Sequence, residues 1–288
     1  MLSSSNFVNP DVLATTEWLG AHLDDPDLVI VDCDMFDSYQ RAHIKGAVGI
    51  KVHHYIKHPD YANDPKGYPL VAEPNVAKDI FESMGIDDST TVISYDSNGS
   101  LWAARFWWVL NYYGHANAKV LDGGWKKWFD EGRAVSVDSN VPGDATFTPK
   151  TQDDLVCSLD LAIERIEDGD TLFLDVRSDG EWNGRNDRGN SRAGRVPGSV
   201  HVEWLNFVNT DRYQTFKSAE EINQIAERVP QIRKVMTEAF GTAIPKEIEK
   251  MGISVEAFID TVNTQLLKLP QLTGGAANTF ENLGDTIF

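Results

Sequence analysis

The chain has 288 residues with 26 Lys or Arg against 44 Asp or Glu, a formal charge of −18. Hydrophobic residues at 41% and charged residues at 24% exclude a disordered, collagen-like or disulfide-scaffold chain, and the length suggests two domains of roughly 150 residues. The acidic excess repels phosphate backbones and anionic bilayers, so neither nucleic acid nor a membrane is an expected partner.

The N-terminus, Met1-Leu2-Ser3-Ser4-Ser5, has no basic n-region ahead of an apolar block. No window approaches the ~18 apolar residues of a membrane span, so a cytoplasmic protein is expected. Leu28–Asp32 is an apolar, β-branched run and predicts a buried strand. Cys33 follows it and reads as a small buried residue. His53, His54, His58 and Asp60 lack a defined metal-ligand spacing and read as loop residues. Then strand and helix alternate: helix at Val76–Met84, strand at Thr91–Tyr95, helix at Ala103–Tyr113, strand at Val120–Leu121, helix at Trp125–Glu131. Gly85, Gly114 and Gly132 stand where C-terminal stops belong. Alternation of this kind predicts an α/β domain over 1–135 with a mostly parallel sheet covered on both faces. The aromatic set Trp102, Trp107, Trp108, Tyr112, Tyr113, Trp125 and Trp128 reads as core and domain interface.

Residues 136–153 are polar with Pro142 and Gly143 and read as a linker. Cys157 comes just before a helix capped by Ser158, and no glycine-rich loop surrounds it. The stretch Leu172-Phe173-Leu174-Asp175 then repeats the apolar run that ends at Asp32, and Arg195-Val196-Pro197-Gly198-Ser199-Val200 repeats His43-Ile44-Lys45-Gly46-Ala47-Val48. The offset is 143 residues at the aspartates and 152 at the glycines. A period this long signals a duplicated domain rather than a solenoid. The extra residues of the second copy include Gly184–Arg195, with four arginines in an otherwise acidic chain. Guanidinium groups grip oxyanions bidentately, which makes this loop a candidate anion site.

From Ser218 the pattern changes. Ser218-Ala219-Glu220-Glu221 is a capping box, and Ile222, Ile225, Val229, Ile232, Met236 and Phe240 follow at helical spacing, with Pro230 as a break. A second helical run covers Val255 to Leu269. The second domain is therefore expected at 154–221, with a helical segment at 222–288.

Several stretches together carry a family resemblance. They are Asp32 to Val48, Tyr95-Asp96-Ser97-Asn98-Gly99-Ser100 leading to Arg105, Val120-Leu121-Asp122-Gly123-Gly124-Trp125-Lys126-Lys127-Trp128, Leu174-Asp175-Val176-Arg177-Ser178, and Arg192 to His201. Over residues 12–221 the chain resembles the two-domain rhodanese-like sulfurtransferases, the thiosulfate and 3-mercaptopyruvate sulfurtransferases. The resemblance implies tandem α/β domains, no cofactor and no metal. It implies a small anionic sulfur compound as ligand, with sulfur passed through a cysteine persulfide in a strand-to-helix loop of the second domain. That loop reads roughly Tyr-Cys-x-x-Gly-x-Arg in the family. In the first domain Asp96 holds the nucleophile position, as in the inactive half of the family. In the second the loop is due near residue 247, where Ala243–Gly252 has neither cysteine nor a glycine-rich turn. No catalytic residue is assigned.

Of the arginine loop, Arg188 best matches a family anion-binding position, with Arg185 and Arg192 beside it. A further arginine frequent in the family is replaced by Glu181-Trp182. The expectation is a family member without sulfur transfer, a possible pseudoenzyme; the alternative is a non-catalytic protein of this fold that binds an anion or a partner. Oligomeric state stays open.

Overall fold

The central strands form because their side chains are apolar on both faces. A computed structural model describes residues 7, 9–50, 71–168 and 171–228. In its first half, β1 (Leu13–Ala14), α1 (Thr16–His22), β2 (Leu28–Asp32), α2 (Phe36–Arg41), β3 (His43–Ile44) and β4 (Val48–Gly49) come first. Then follow α3 (Pro74–Ser83), β5 (Thr91–Tyr95), α4 (Leu101–Tyr112), β6 (Ala118–Leu121), α5 (Gly124–Asp130) and β7 (Val135–Ser136). Five strands make one parallel sheet in the order β1-β6-β5-β2-β4. β2 and β5 pair along their whole length, from Leu28 opposite Thr91 to Asp32 opposite Tyr95.

Alternation along β2 and β5 divides the core in two. Val31 and Val92 face Phe81, Phe106, Leu110 and Tyr113. Ile30 and Ile93 face the other way, onto Leu19, Ile44, Leu121 and Trp128. The helices and glycine stops expected between residues 76 and 132 are present, and Gly85, Gly114 and Gly132 have φ of +78°, +82° and +67°. α4 starts at Leu101 rather than Ala103, because Ser100 at φ +67° ends the preceding loop and frees Leu101 to turn helical.

The segment expected as a linker is laid along the first half. Phe147 is buried in the first core, edge-on to Phe81 with ring centroids 4.9 Å apart. The backbone N–H groups of Lys150 and Gln152 donate to the carbonyls of Tyr113 (2.9 Å) and Tyr112 (2.8 Å). Its Pro and Gly content showed a break in regular structure; it could not show which surface the one aromatic in it would find.

The second half contains α6 (Leu159–Asp168), β8 (Leu174–Asp175), α7 (Asp179–Trp182), β9 (Val200–His201) and α8 (Ala219–Arg228). β8 and β9 pair in parallel, Leu174 opposite Val200 and Asp175 opposite His201. In the first half Val31 lies opposite Val48 and Asp32 opposite Gly49, the same register at the repeated residues. Among the described residues the second half has these two strands in its sheet, against five in the first. α8 is held by the expected box, with Ser218 N–H donating to Glu221 Oε2 (2.9 Å) and Glu221 N–H to Ser218 Oγ (3.3 Å). It seats Ile222 against Val202. Ser218→Ala is expected to destabilise α8 by about 1 kcal/mol, read as faster amide exchange over its first turns. The His53–Asp60 group, the helical runs beyond Arg228 and the Ala243–Gly252 stretch lie outside the described residues.

Candidate functional site

Parallel strands deliver their C-terminal ends to one edge of the sheet, where α/β folds place ligands. Here that edge carries carboxyl groups: Asp32 at the end of β2, Asp34 just beyond it, Asp96 just after β5 and Asp122 just after β6. Asp96 lies in the strand-to-helix loop, with its side chain turned back into it. Oδ1 accepts from the backbone N–H of Asn98 (2.8 Å) and Ser100 (2.9 Å), and Oδ2 from those of Trp102 (2.8 Å) and Ala103 (2.9 Å). Two left-handed residues, Gly99 (φ +66°) and Ser100 (φ +67°), turn the loop back around this carboxylate. Arg105, one turn on, stacks over Trp108 at 5.0 Å, and burial pulls its guanidinium down to about 10.

The other acids are partnered differently. Asp32 Oδ2 accepts from the Tyr95 hydroxyl (2.6 Å) and Oδ1 from Asp34 N–H (2.9 Å). Burial still pushes Asp32 up to about 6. Asp34 is also raised by burial, while Ser97 donates to its Oδ1 from N–H (3.1 Å) and Oγ (2.9 Å). Asp122, raised to about 6 by burial, accepts from Phe216 N–H of the second half (2.8 Å). The backbone of the same loop is pinned by α5, with Trp125 N–H on the Asp96 carbonyl (3.0 Å).

Neither thiol lies in the loop that closes on Asp96. Cys33 is buried, and burial, with Asp96, Asp32 and Asp34 around it, pushes its thiol well above the ordinary range. Cys157 is exposed, its Sγ 3.6 Å from Ser158 O, and Ser158 Oγ accepts Leu161 N–H (3.2 Å) at the start of α6.

The arginine loop is anchored from within. Arg177 clasps Asp175, Nη2 to Oδ2 at 2.7 Å, and donates to Gly194 O (2.8 Å). Arg195 lies over Trp182 (4.5 Å), which stacks on His201 (4.8 Å). Arg185, Arg188 and Arg192 are all exposed on this loop. Arg185 Nε donates to Asn183 Oδ1 (2.8 Å), and Arg188 Nε stands 3.8 Å from Glu181 Oε1. Glu181 thus stands within ion-pair reach of one of the candidate guanidinium groups. Sequence reading did not find Asp34, Asp122 or the contact of 209–217 with the first half. Only the Asp122-Gly123-Gly124 run carried a signal for them.

A family model described as "Rhodanese-like domain" matches residues 15–131. The chain is 31% identical over 236 residues to the sulfur carrier protein TtuD of Thermus thermophilus, covering 77% of this chain and 79% of that one. It is 31% identical over 227 residues to a Mycolicibacterium smegmatis protein that carries a thiosulfate sulfurtransferase name, covering 75% and 77%. The crystal structure of SseA from Escherichia coli, from work on 3-mercaptopyruvate sulfotransferases, shares the fold with a TM-score of 0.66 at 21% identity, over 75% of this chain and 83% of that one. Tum1 from Saccharomyces cerevisiae does so with a TM-score of 0.63 at 14% identity, over 81% and 80%. Repeated strand register, the loop that closes on Asp96 and these likenesses agree, and the chain belongs to the rhodanese-like sulfurtransferase family.

Proposed function

We propose that this family member binds a small anionic sulfur compound, of the thiosulfate or 3-mercaptopyruvate class, without passing sulfur through a cysteine persulfide. The reading rests on Asp96. A carboxylate occupies the loop position that a sulfur-carrying thiolate would need, and it consumes four backbone donors there. Covalent catalysis needs an activated nucleophile, which binding cannot replace. Cys33 is buried with its thiol held protonated, and Cys157 stands outside any glycine-rich anion loop. Arg185, Arg188 and Arg192 are the residues proposed to meet the anion, from an exposed loop where salt screens the attraction. A cytoplasmic location fits this reading; no helix of the described residues is long and apolar enough to cross a membrane.

The test is a thiosulfate–cyanide assay on the purified protein with Cys33→Ser and Cys157→Ser beside it, and an intact mass after thiosulfate treatment. No turnover and no added sulfur are expected. Turnover that either substitution abolishes would show a working thiol and overturn the reading. Thiosulfate binding is expected to weaken severalfold in an Arg185→Ala, Arg188→Ala, Arg192→Ala triple variant and to fall as salt rises.

A further inference from the structure

We propose that Asp96 is a built-in anion: its carboxylate loads the first half's own anion trap and so holds the surface on which residues 209–217 of the second half dock. The trap is made of backbone. Two of its four N–H groups, from Asn98 and Ser100, belong to the loop, and two, from Trp102 and Ala103, to the first turn of α4. Donors at a helix N-terminus have no partner within the helix and sit at the positive end of its dipole. Without the carboxylate all four would be left facing one another in a buried site, since Asp96 is 2% exposed. The loop would then have no reason to keep Gly99 and Ser100 left-handed.

That loop is also a docking surface. The segment 209–217 is a hairpin with its own internal bonds: Val208 bridges Phe216, Asn209 N–H donates to Thr215 O (2.8 Å), and Asp211 Oδ1 takes Gln214 N–H (2.8 Å). It meets the first half at four places. A Cβ on Gly99 would stand 3.3 Å from Gln214 Cδ, so the glycine backbone and that side chain lie face to face. A Cβ on Gly123 would stand 3.2 Å from Thr215 Cγ2. Phe216 N–H bonds Asp122 Oδ1 (2.8 Å), and Arg212 reaches Asp130 of α5 (3.0 Å). Asp96 ties both parts of this surface together, because its carboxylate sets 98–103 and its carbonyl receives Trp125 N–H from the Gly123-Gly124 turn. The nearby carboxyl of Asp34 opposes a charge at this point, and its own bonds to Ser97 keep it in the same loop. In this protein the anion trap therefore works as a latch between the two halves, and goes beyond the ligand reading above.

The experiment removes the carboxylate and returns it from solution. In Asp96→Gly the thermal midpoint is expected to fall and exchange of the Phe216 amide to rise at least tenfold. Sodium formate is expected to recover more than half of the lost midpoint, while sodium chloride at equal ionic strength does not, and the wild type responds alike to both. Formate acting no better than chloride on Asp96→Gly would overturn the proposal. Should Asp96→Gly fail to fold, Asp96→Asn decides: it keeps the volume but turns an N–H2 group toward two of the donors. Tenfold faster exchange at Phe216 and Trp102 is expected, and wild-type exchange at Phe216 would overturn the latch.

Discussion

Gly124→Ala is expected to be among the most damaging single-methyl changes in the protein. The new Cβ would fall 2.1 Å from the Asp96 carbonyl oxygen, and the residue has φ +51°. Neither the loop nor α5 can yield freely, because the Trp125 N–H bond to that same oxygen fixes their separation. Left-handed strain and the overlap together are expected to cost about 4 kcal/mol, a fall in Tm of roughly 10 °C. Gly132→Ala separates the two contributions. Gly132 has φ +67°, and a Cβ added to it would meet nothing within 4 Å, so it carries the conformational cost alone, about 1 kcal/mol. Equal losses for the two variants in urea unfolding would show that the Asp96 contact is not what makes Gly124 a glycine.

Tyr95→Phe is expected to cost about 3 kcal/mol and to change how stability depends on pH. The hydroxyl donates to Asp32 Oδ2 (2.6 Å) and accepts Ile44 N–H (3.1 Å), so its loss strands a buried amide and a buried carboxyl together. Asp32 is raised from 3.8 to about 6 in the folded chain. A raised carboxyl contributes stability that is fully present below 3.8 and is lost as pH rises through about 6, at about 1.4 kcal/mol for each pH unit crossed between the two. The Tyr95 bond favours the ionised form, so removing it moves the upper end of that window to higher pH. Urea unfolding between pH 4 and 8 reads this; Asp32→Asn should flatten the slope there by up to about one proton. A slope unchanged in Asp32→Asn would refute the assignment. The isoelectric point of about 4.7 falls in the window, which favours chemical over thermal unfolding.

Much of the first half was legible in the residues because its signals are local. The β-branched runs at Leu28–Asp32 and Thr91–Tyr95, the helical spacing between them and the glycines at 85, 114 and 132 each act within a few residues, and each stands in the fold where the pattern put it. The two similar strand-and-turn stretches pair in the same register, Val31 with Val48 and Leu174 with Val200. The sequence also placed Asp96 in the loop and limited the chain to two thiols. What it did not contain was the partner of each of these groups. Asp96 reads as a lost nucleophile until four amides are seen on its oxygens, and Asp32 only as the end of a strand until its side-chain donor is seen to be Tyr95, 63 residues away. Phe147 reads as a linker aromatic until it fills the first core beside Phe81. The contact of Phe216 with Asp122 spans 94 residues. Hydrogen bonds and packing of this range depend on where strands and loops are brought in space, which no local propensity records, and so the tertiary structure alone decided that the blank loop of the first half is a filled and covered one.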